Sequence, residues 1–176
     1  MNTALGFRFG RDCAPSKGPI FSCVRAAVLS RTLADMGFDL SSRSRLNRGS
    51  LGRFPDDTLF HKAARVVCEA ECLPRKELFE AWEVARRARR RMRGGRVVDL
   101  ACGHGLVAIF ALLLDDSSPC ALAVDRKLPK SALTLHRAFV DAWPRLEGRL
   151  VFEERDLGQV ELHADDLVLS AHGAAR

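Results

Sequence analysis

The sequence predicts an α/β fold in which helices cover both faces of a parallel sheet. From residue 96 onward, short apolar runs alternate with longer segments of helical periodicity, the pattern of strands joined by crossover helices. A glycine turn also links the first apolar run to the continuous apolar segment Leu106–Leu114. Strand, glycine turn and helix in this order bring backbone N–H groups to one point, where α/β folds bind nucleotide-like ligands.

Residues 1–54 lack sustained periodicity, and we predict a basic, weakly ordered leader. They contain nine Lys and Arg and three acidic residues, whereas residues 55–176 contain nineteen of each sign. The net charge of +6 therefore belongs to the leader, and it does not indicate nucleic acid binding by the rest of the chain. The acid-poor, Arg- and Ser-rich composition also resembles organelle transit peptides, so organelle targeting stays open beside a cytoplasmic location. No apolar run reaches the ~20 residues of a membrane-spanning helix.

Residues 55–95 are predicted to form a lead-in of two helices. Apolar residues recur at helical spacing from Phe60 to Cys68, and Pro74 begins the second helix, where its missing N–H is tolerated. Gly94 and Gly95 are predicted to end that helix. Its polar face carries six arginines that RNA phosphates could contact. However, glutamates precede them and the helix dipole favours cations there, so we name no nucleic acid substrate.

Residues 96–176 are predicted to form the main domain. Strands are expected at 96–100, 121–124, 150–152 and 167–170, with helices at Leu106–Leu114 and from Pro129 to Trp143. The six cysteines form no C-x-x-C pair and are interpreted as thiols in a reducing compartment, so no metal site is predicted.

The glycine turn predicts a cofactor site. Gly103 and Gly105 permit positive φ and a close approach of backbone to ligand, and the helix that follows adds a partial positive charge. Asp125 ends the next strand, where an acid can accept hydrogen bonds from ribose hydroxyls or, alternatively, cap a turn. The spacing Gly103-x-Gly105-x-x-Ala108 matches the dinucleotide fingerprint, which would indicate an NAD(P)-dependent oxidoreductase.

The longer pattern Asp99-x-Ala101-x-Gly103-x-Gly105 resembles the first motif of the class I S-adenosylmethionine-dependent methyltransferases. Between about residues 75 and 173, the resemblance implies a Rossmann-like sheet with strand order 3-2-1-4 and S-adenosyl-L-methionine as cofactor. It places Asp99 near the methionine ammonium and Asp125 on the ribose. Ala101, Gly103 and Gly105 would form the cofactor loop.

The same resemblance extends to the third and fourth strands. Asp156 follows the third strand, where the family often has an acid near the adenine amino group; pairing with Arg155 or solvent is the alternative. The segment from Asp166 to Gly173 resembles the fourth strand and the loop where substrate meets the methyl group, which makes His172 the candidate catalytic base. His104, inside the turn, could instead face the substrate. Cys102 is interpreted as a soft contact on the cofactor.

The predicted function is methyl transfer to an unidentified acceptor, which could be RNA, a protein or a small molecule. Domains of this family have seven strands, so the chain is expected to be truncated after the fourth strand, with activity in doubt and the fourth strand an unprotected edge. A protein partner could cover that edge. The alternatives are an NAD(P)-binding fragment and a non-catalytic binding module.

Overall fold

A computed structural model describes residues 20–21, 39 and 42–171 of the chain. Its strands are β1 (Ile20–Phe21), β2 (Val97–Leu100), β3 (Ala121–Asp125), β4 (Leu150–Glu154) and β5 (Leu167–Leu169). Its helices are α1 (Leu59–Ala70), α2 (Arg75–Arg91), α3 (Leu106–Leu114) and α4 (Ser131–Ala142). Short 3-10 helices cover Arg48–Arg53, Pro144–Leu146 and Leu157–Gln159.

The strands form one parallel sheet in the order β4-β3-β2-β5-β1. The four strands predicted from the sequence are β2, β3, β4 and β5, and their spatial order is the expected 3-2-1-4. The chain therefore has the predicted Rossmann-like α/β fold. The central strand β2 pairs with β3 on one side and with β5 on the other, so the direction of strand succession reverses at β2.

The outer edge of β5 is paired with β1, a strand that the sequence analysis did not predict. Ile20 lies opposite Leu167 and Phe21 opposite Val168, in parallel register. The expectation that the fourth predicted strand would be an unprotected edge was therefore wrong over these two residues. The leader supplies the backbone groups that pair there, because the β5 edge offers N–H and C=O groups to any extended segment that reaches it.

The helices described here pack as a layer on one face of the sheet, whereas the sequence analysis predicted helices on both faces. Within residues 42–171 the second face has no crossover helix, because no α-helix connects β4 to β5. Two successive crossovers, β2-α3-β3 and β3-α4-β4, run in the same direction across the sheet and so place α3 and α4 on the same side. Helix α3 packs against α2 and contacts α4 through the rings of Phe110 and Phe139. It is buried from Leu106 to Leu113, which explains why it is apolar on every side. The connection from β4 to β5 contains only the 3-10 helix Leu157–Gln159 within the described range.

Aromatic rings join the helices across this layer. Phe60 of α1 contacts Trp82 of α2 with ring centroids 5.1 Å apart, and Trp82 contacts Phe110 of α3 at 5.2 Å. Phe110 then meets Phe139 of α4 at 6.0 Å. Since each buried aromatic ring removes a large apolar area from water, this chain of contacts fixes the lead-in helices against the sheet domain.

The ends of the lead-in helices differ slightly from the prediction. Helix α2 ends at Arg91 rather than at the glycines, and Gly94 and Gly95 form the left-handed turn into β2, with φ of 71° and 69°. Upstream, Leu46 and Phe54 are buried against the lead-in, so the packed structure begins before residue 55. The three-part division of the chain stays a prediction. None of the helices described is long and apolar enough to cross a membrane.

Candidate functional site

The candidate site lies at the carboxyl ends of β2 and β3, beside the point where strand order reverses. Crevices at such switch points are the usual ligand sites of open α/β sheets. The turn between Leu100 and Leu106 occupies this position, and both predicted carboxylates, Asp99 and Asp125, reach it. The fold thus brings together the turn and the two acids that were predicted as cofactor ligands.

The turn is built from three residues in the left-handed region. Ala101, Gly103 and Gly105 have φ of 54°, 52° and 71°. Ala101 adopts the conformation at a cost of roughly 1 kcal/mol, which its β-carbon imposes and glycine avoids. The Cys102 N–H donates to the Val124 carbonyl at 3.1 Å, so the turn is anchored to the end of the neighbouring strand β3.

The two glycines serve different purposes. A β-carbon built on Gly105 would lie 2.6 Å from Cε1 of Phe152 and 2.8 Å from Cζ, so the strand β4 side chain leaves no room for one. A β-carbon on Gly103 would meet no atom within 4 Å. Gly105 is therefore required by packing inside the protein, whereas the backbone of Gly103 borders open space that a ligand can approach.

Asp125 connects the two halves of the site. Its Oδ2 accepts a hydrogen bond from the Gly103 N–H at 2.9 Å, and Oδ1 accepts from the Lys127 N–H at 3.4 Å. The side chain is half-buried at the strand end. A carboxylate has about four lone-pair positions, so both oxygens retain acceptor capacity for further donors such as ribose hydroxyls.

Asp99 is 1% exposed and lies beneath the turn. Its Oδ2 accepts a hydrogen bond from the Ala108 N–H at 3.2 Å, which caps the first turn of α3, where Gly105 has no side chain to do so. Its Oδ1 is buried without a hydrogen-bond partner. Burial raises the pKa of Asp99 to about 7, the Ala108 N–H opposes that shift, and the nearby charge of Asp125 adds to it.

The raised pKa of Asp99 predicts a specific pH dependence of stability. Between its unfolded value near 4 and about 7, the folded protein holds a proton that the unfolded chain has lost, so this residue makes stability fall as pH rises. Relative to Asp99→Asn, the wild type should lose on the order of a few kcal/mol of unfolding free energy between pH 5 and 8. Urea unfolding of both proteins at several pH values measures the difference; parallel curves would contradict the assignment.

The thiol of Cys102 is unsuited to act as a nucleophile. Burial raises its pKa well above the usual range, and the charges of Asp99 and Asp125 raise it further. The thiol thus stays protonated at neutral pH, since thiolate formation would add a negative charge beside two carboxylates. The role of Cys102 as a soft contact on the cofactor stays a prediction.

The predicted adenine acid Asp156 lies beyond the end of β4 and is exposed. Its Oδ1 accepts from the Gly158 N–H at 2.9 Å and caps the 3-10 helix Leu157–Gln159. Its Oδ2 is 3.5 Å from Nε of Arg126, while Arg155, the partner considered in the sequence analysis, pairs with Glu153 instead. The adenine contact stays a prediction, and the candidate base His172 lies outside the described residues.

His104 makes contacts that the sequence did not predict. Its Nδ1 is 3.3 Å from Oε2 of Glu77 in the first turn of α2, and its Nε2 is 3.0 Å from Oγ of Ser131 at the start of α4. A narrow cleft of about 20 Å³ lies beside it and is lined by Glu77, Cys102, His104 and Ala171, among others. No pattern in the sequence signalled this cluster, because its members lie on three separate elements.

The arginines of α2 are mostly engaged in contacts within the protein. Arg86 and Arg87 both bind the Glu83 carboxylate, at 2.9 and 2.6 Å. Arg89 is 3% exposed and pairs with buried Asp115 at 3.2 Å. The exposed arginines lie at the C-terminal end of the helix, about 20 Å along its axis from Glu77 and the glycine turn. They do not form part of the candidate site.

A second polar cluster lies near the amino ends of β2 and β5, at the opposite end of these strands from the glycine turn. His163, Asp165 and Asp166 carry side-chain atoms within 4.8 Å of one another. Both oxygens of Asp166 already accept hydrogen bonds from Arg96, at 2.8 and 2.6 Å. The carboxylate is therefore neutralised by a bidentate arginine, and the cluster is explained as an ion pair that joins the segment before β2 to the start of β5.

Comparisons with known proteins found structural similarity only. No family model matches the chain, and no curated protein matches it. Among solved structures, the chain is similar to an O-methyltransferase family protein from Burkholderia thailandensis, with 24% identity and a TM-score of 0.36 over 71% of this chain and 33% of that one. It is also similar to a proposed RNA methyltransferase from Pyrococcus horikoshii, with 16% identity and a TM-score of 0.39 over 81% of this chain and 59% of that one. The chain thus spans about a third and about three fifths of these two proteins.

Proposed function

We propose that the turn binds S-adenosyl-L-methionine and that the protein transfers its methyl group to an acceptor not yet identified. The observation that carries the proposal is the placement of two carboxylates around a turn with an open backbone. Asp125 accepts from the Gly103 N–H, and Asp99 lies buried below with one oxygen unpartnered. The residues fit a cofactor that presents hydroxyl donors at one end and a cationic group at the other.

The charge of the site favours this cofactor over a dinucleotide. In dinucleotide sites the helix N-terminus binds the pyrophosphate, but here the Asp99 carboxyl already accepts from the N–H of Ala108 in that helix. A further negative charge ~6 Å from a carboxylate would cost about 3 kcal/mol at an effective dielectric constant of about 20. A sulfonium or ammonium group would gain a comparable amount, since the same acids attract it.

The chemistry needs mainly positioning from the protein. When bound, the cofactor supplies an electrophilic methyl group, so the chain has to bind the cofactor, orient the acceptor and remove any proton that the acceptor carries. Asp125, Gly103 and Asp99 would hold the cofactor, together with Ala101 and Gly105 as the turn, and Asp156 would approach the base. His172 is the residue proposed for proton removal. The thiols of Cys68, Cys72 and Cys102 support a reducing compartment such as the cytoplasm.

Calorimetry with S-adenosylhomocysteine and with NAD tests the cofactor assignment. We expect S-adenosylhomocysteine to bind. Asp125→Ala should weaken its affinity by about 10- to 100-fold, because hydrogen bonds to a charged group contribute ~1.5–3 kcal/mol each. Asp141→Ala, which removes an exposed acid at the far end of α4, is the matched control and should bind like wild type. Binding of NAD alone would reject the proposal in favour of an oxidoreductase.

The protons exchanged on binding give a second, independent discriminator. An ammonium group near Asp99 lowers its pKa from about 7, so binding at pH 7 should release protons, whereas a pyrophosphate should cause uptake. Binding enthalpies measured in two buffers of different ionisation enthalpy give the sign directly. Proton release that disappears in Asp99→Asn would support the proposed cofactor site. In a separate assay, cofactor binding without methyl transfer to any acceptor would favour the non-catalytic module.

A further inference from the structure

The imidazole of His104 lies between an acid and a hydroxyl in a catalytic arrangement. Nε2 is 3.0 Å from Oγ of Ser131, and Nδ1 is 3.3 Å from Oε2 of Glu77. A nucleophile within hydrogen-bond reach of a base, with the base oriented by a third group, is the signature of an activated side chain. The three residues come from α4, the glycine turn and α2, so tertiary packing alone brings them together.

The contacts of the two ring nitrogens indicate the direction of proton transfer. A carboxylate can only accept, so Nδ1 of the neutral imidazole carries the proton and faces Glu77, and the lone pair of Nε2 faces Ser131. The Ser131 hydroxyl is therefore the donor. The His104 side chain is only 14% exposed, which limits competition from water for these contacts, while Ser131 is half-buried and open to small reagents.

The surroundings of Ser131 stabilise negative charge on its oxygen. Ser131 is the first residue of the 12-residue helix α4, where the helix dipole places a partial positive charge. Three cationic residues, Arg126, Lys127 and Lys130, lie in the segment that leads into it. The helix end and the basic residues that precede it in the sequence favour negative charge near Ser131.

We propose that Ser131 is an activated nucleophile that reacts with small esters, with His104 as its base and Glu77 orienting the imidazole. Oγ bonds to the ester carbonyl carbon as its proton passes to His104 Nε2. The carbon–oxygen bond to the alcohol then breaks, and His104 returns the proton to the departing alkoxide. Solvent water, deprotonated by His104, hydrolyses the acyl-serine and restores the hydroxyl. This activity is separate from the proposed methyl transfer and requires no cofactor.

A fluorophosphonate probe applied to the full chain tests the proposal without any cofactor. Oγ attacks phosphorus, fluoride leaves, and the serine proton passes through His104 to solvent. Ser117 provides an internal control, because it is exposed and donates to the Asp115 carboxylate at 2.7 Å but contacts no imidazole in the described structure. We expect Ser131 to be labelled at least about 100-fold faster than Ser117 by peptide mass spectrometry. Equal rates would overturn the proposal and leave the cluster as a structural link.

Substitutions separate activation from exposure. Ser131→Ala should remove the labelled peptide, and Glu77→Gln, which keeps the side-chain shape, should slow labelling at least about tenfold. The matched control is Glu80→Gln, one turn further along α2, where the acid pairs with Lys76. Unchanged thermal unfolding of each variant shows that the fold is intact. Labelling that is insensitive to Glu77→Gln would reject the three-residue relay, whatever the cofactor measurements give.

Discussion

Replacing Gly105 with alanine is expected to destabilise the protein by about 3 kcal/mol and to abolish cofactor binding. The added β-carbon would lie 2.6 Å from the Phe152 ring, and overpacking of this kind costs roughly 1–3 kcal/mol. The residue also has φ of 71°, which adds roughly 1 kcal/mol for any side chain. Because Gly105 precedes the first residue of α3, the helix start and the turn must shift together.

Gly103→Ala is the matched control for this prediction. Its φ of 52° brings the same conformational cost, but no atom lies within 4 Å of the added carbon, so the loss should be about 1 kcal/mol. Urea unfolding measures both variants. Combining Gly105→Ala with Phe152→Leu should recover part of the stability. An equal loss of stability in Gly105→Ala and Gly103→Ala would show that packing against Phe152 does not cause the effect.

Arg89→Ala is expected to lower the free energy of unfolding by about 3–5 kcal/mol. Arg89 and Asp115 are 3% and 4% exposed, and removing one partner leaves an uncompensated buried charge. The guanidinium also donates to the carbonyls of Ala111 and Gly94 and to Ser118 Oγ, at 3.0, 3.2 and 2.6 Å. Its loss therefore frees the segments on both sides of β2.

Arg90→Ala, at an exposed neighbouring position, should change the unfolding free energy by less than about 0.5 kcal/mol. Thermal and urea unfolding of the two variants give the comparison. If Arg89→Ala were as mild as Arg90→Ala, the buried ion pair would not stabilise the junction of α2 and β2, and the arginine face would again be open to interpretation as a binding surface.

The core of the fold could be predicted because its determinants are local. Helix α3 has the predicted bounds, since a continuous apolar run after a glycine turn fits a helix buried on every side. The bounds of the strands differ from the predicted ones by one or two residues. The difference arises where charged residues continue an apolar strand, as in Leu150–Glu154. The turn and its two acids could be predicted for the same reason. Asp99 and Asp125 lie at strand ends, and the position of a strand end determines where its side chains lie.

The remaining features depend on contacts between distant segments. A two-residue strand in a leader without periodicity gives no sequence signal, so the pairing of β1 with β5 was missed. The sequence analysis placed Arg89 on the polar face of α2 together with five other arginines. In the structure, Arg89 instead faces the interior and pairs with Asp115. The Glu77, His104 and Ser131 cluster likewise requires three elements to be packed before it exists, and sequence spacing carries no record of that packing.

The pairing of β1 with β5 sets the order in which the sheet can be completed during synthesis. Ile20 and Phe21 are synthesised long before their partners Leu167 and Val168. Helices α2 and α3 and strands β2 and β3 can associate through short connections while synthesis continues, whereas the outermost strand has to wait. Until β5 is made, Ile20 and Phe21 lack the strand with which they pair, so the pairing of β1 with β5 follows the assembly of β2 and β3.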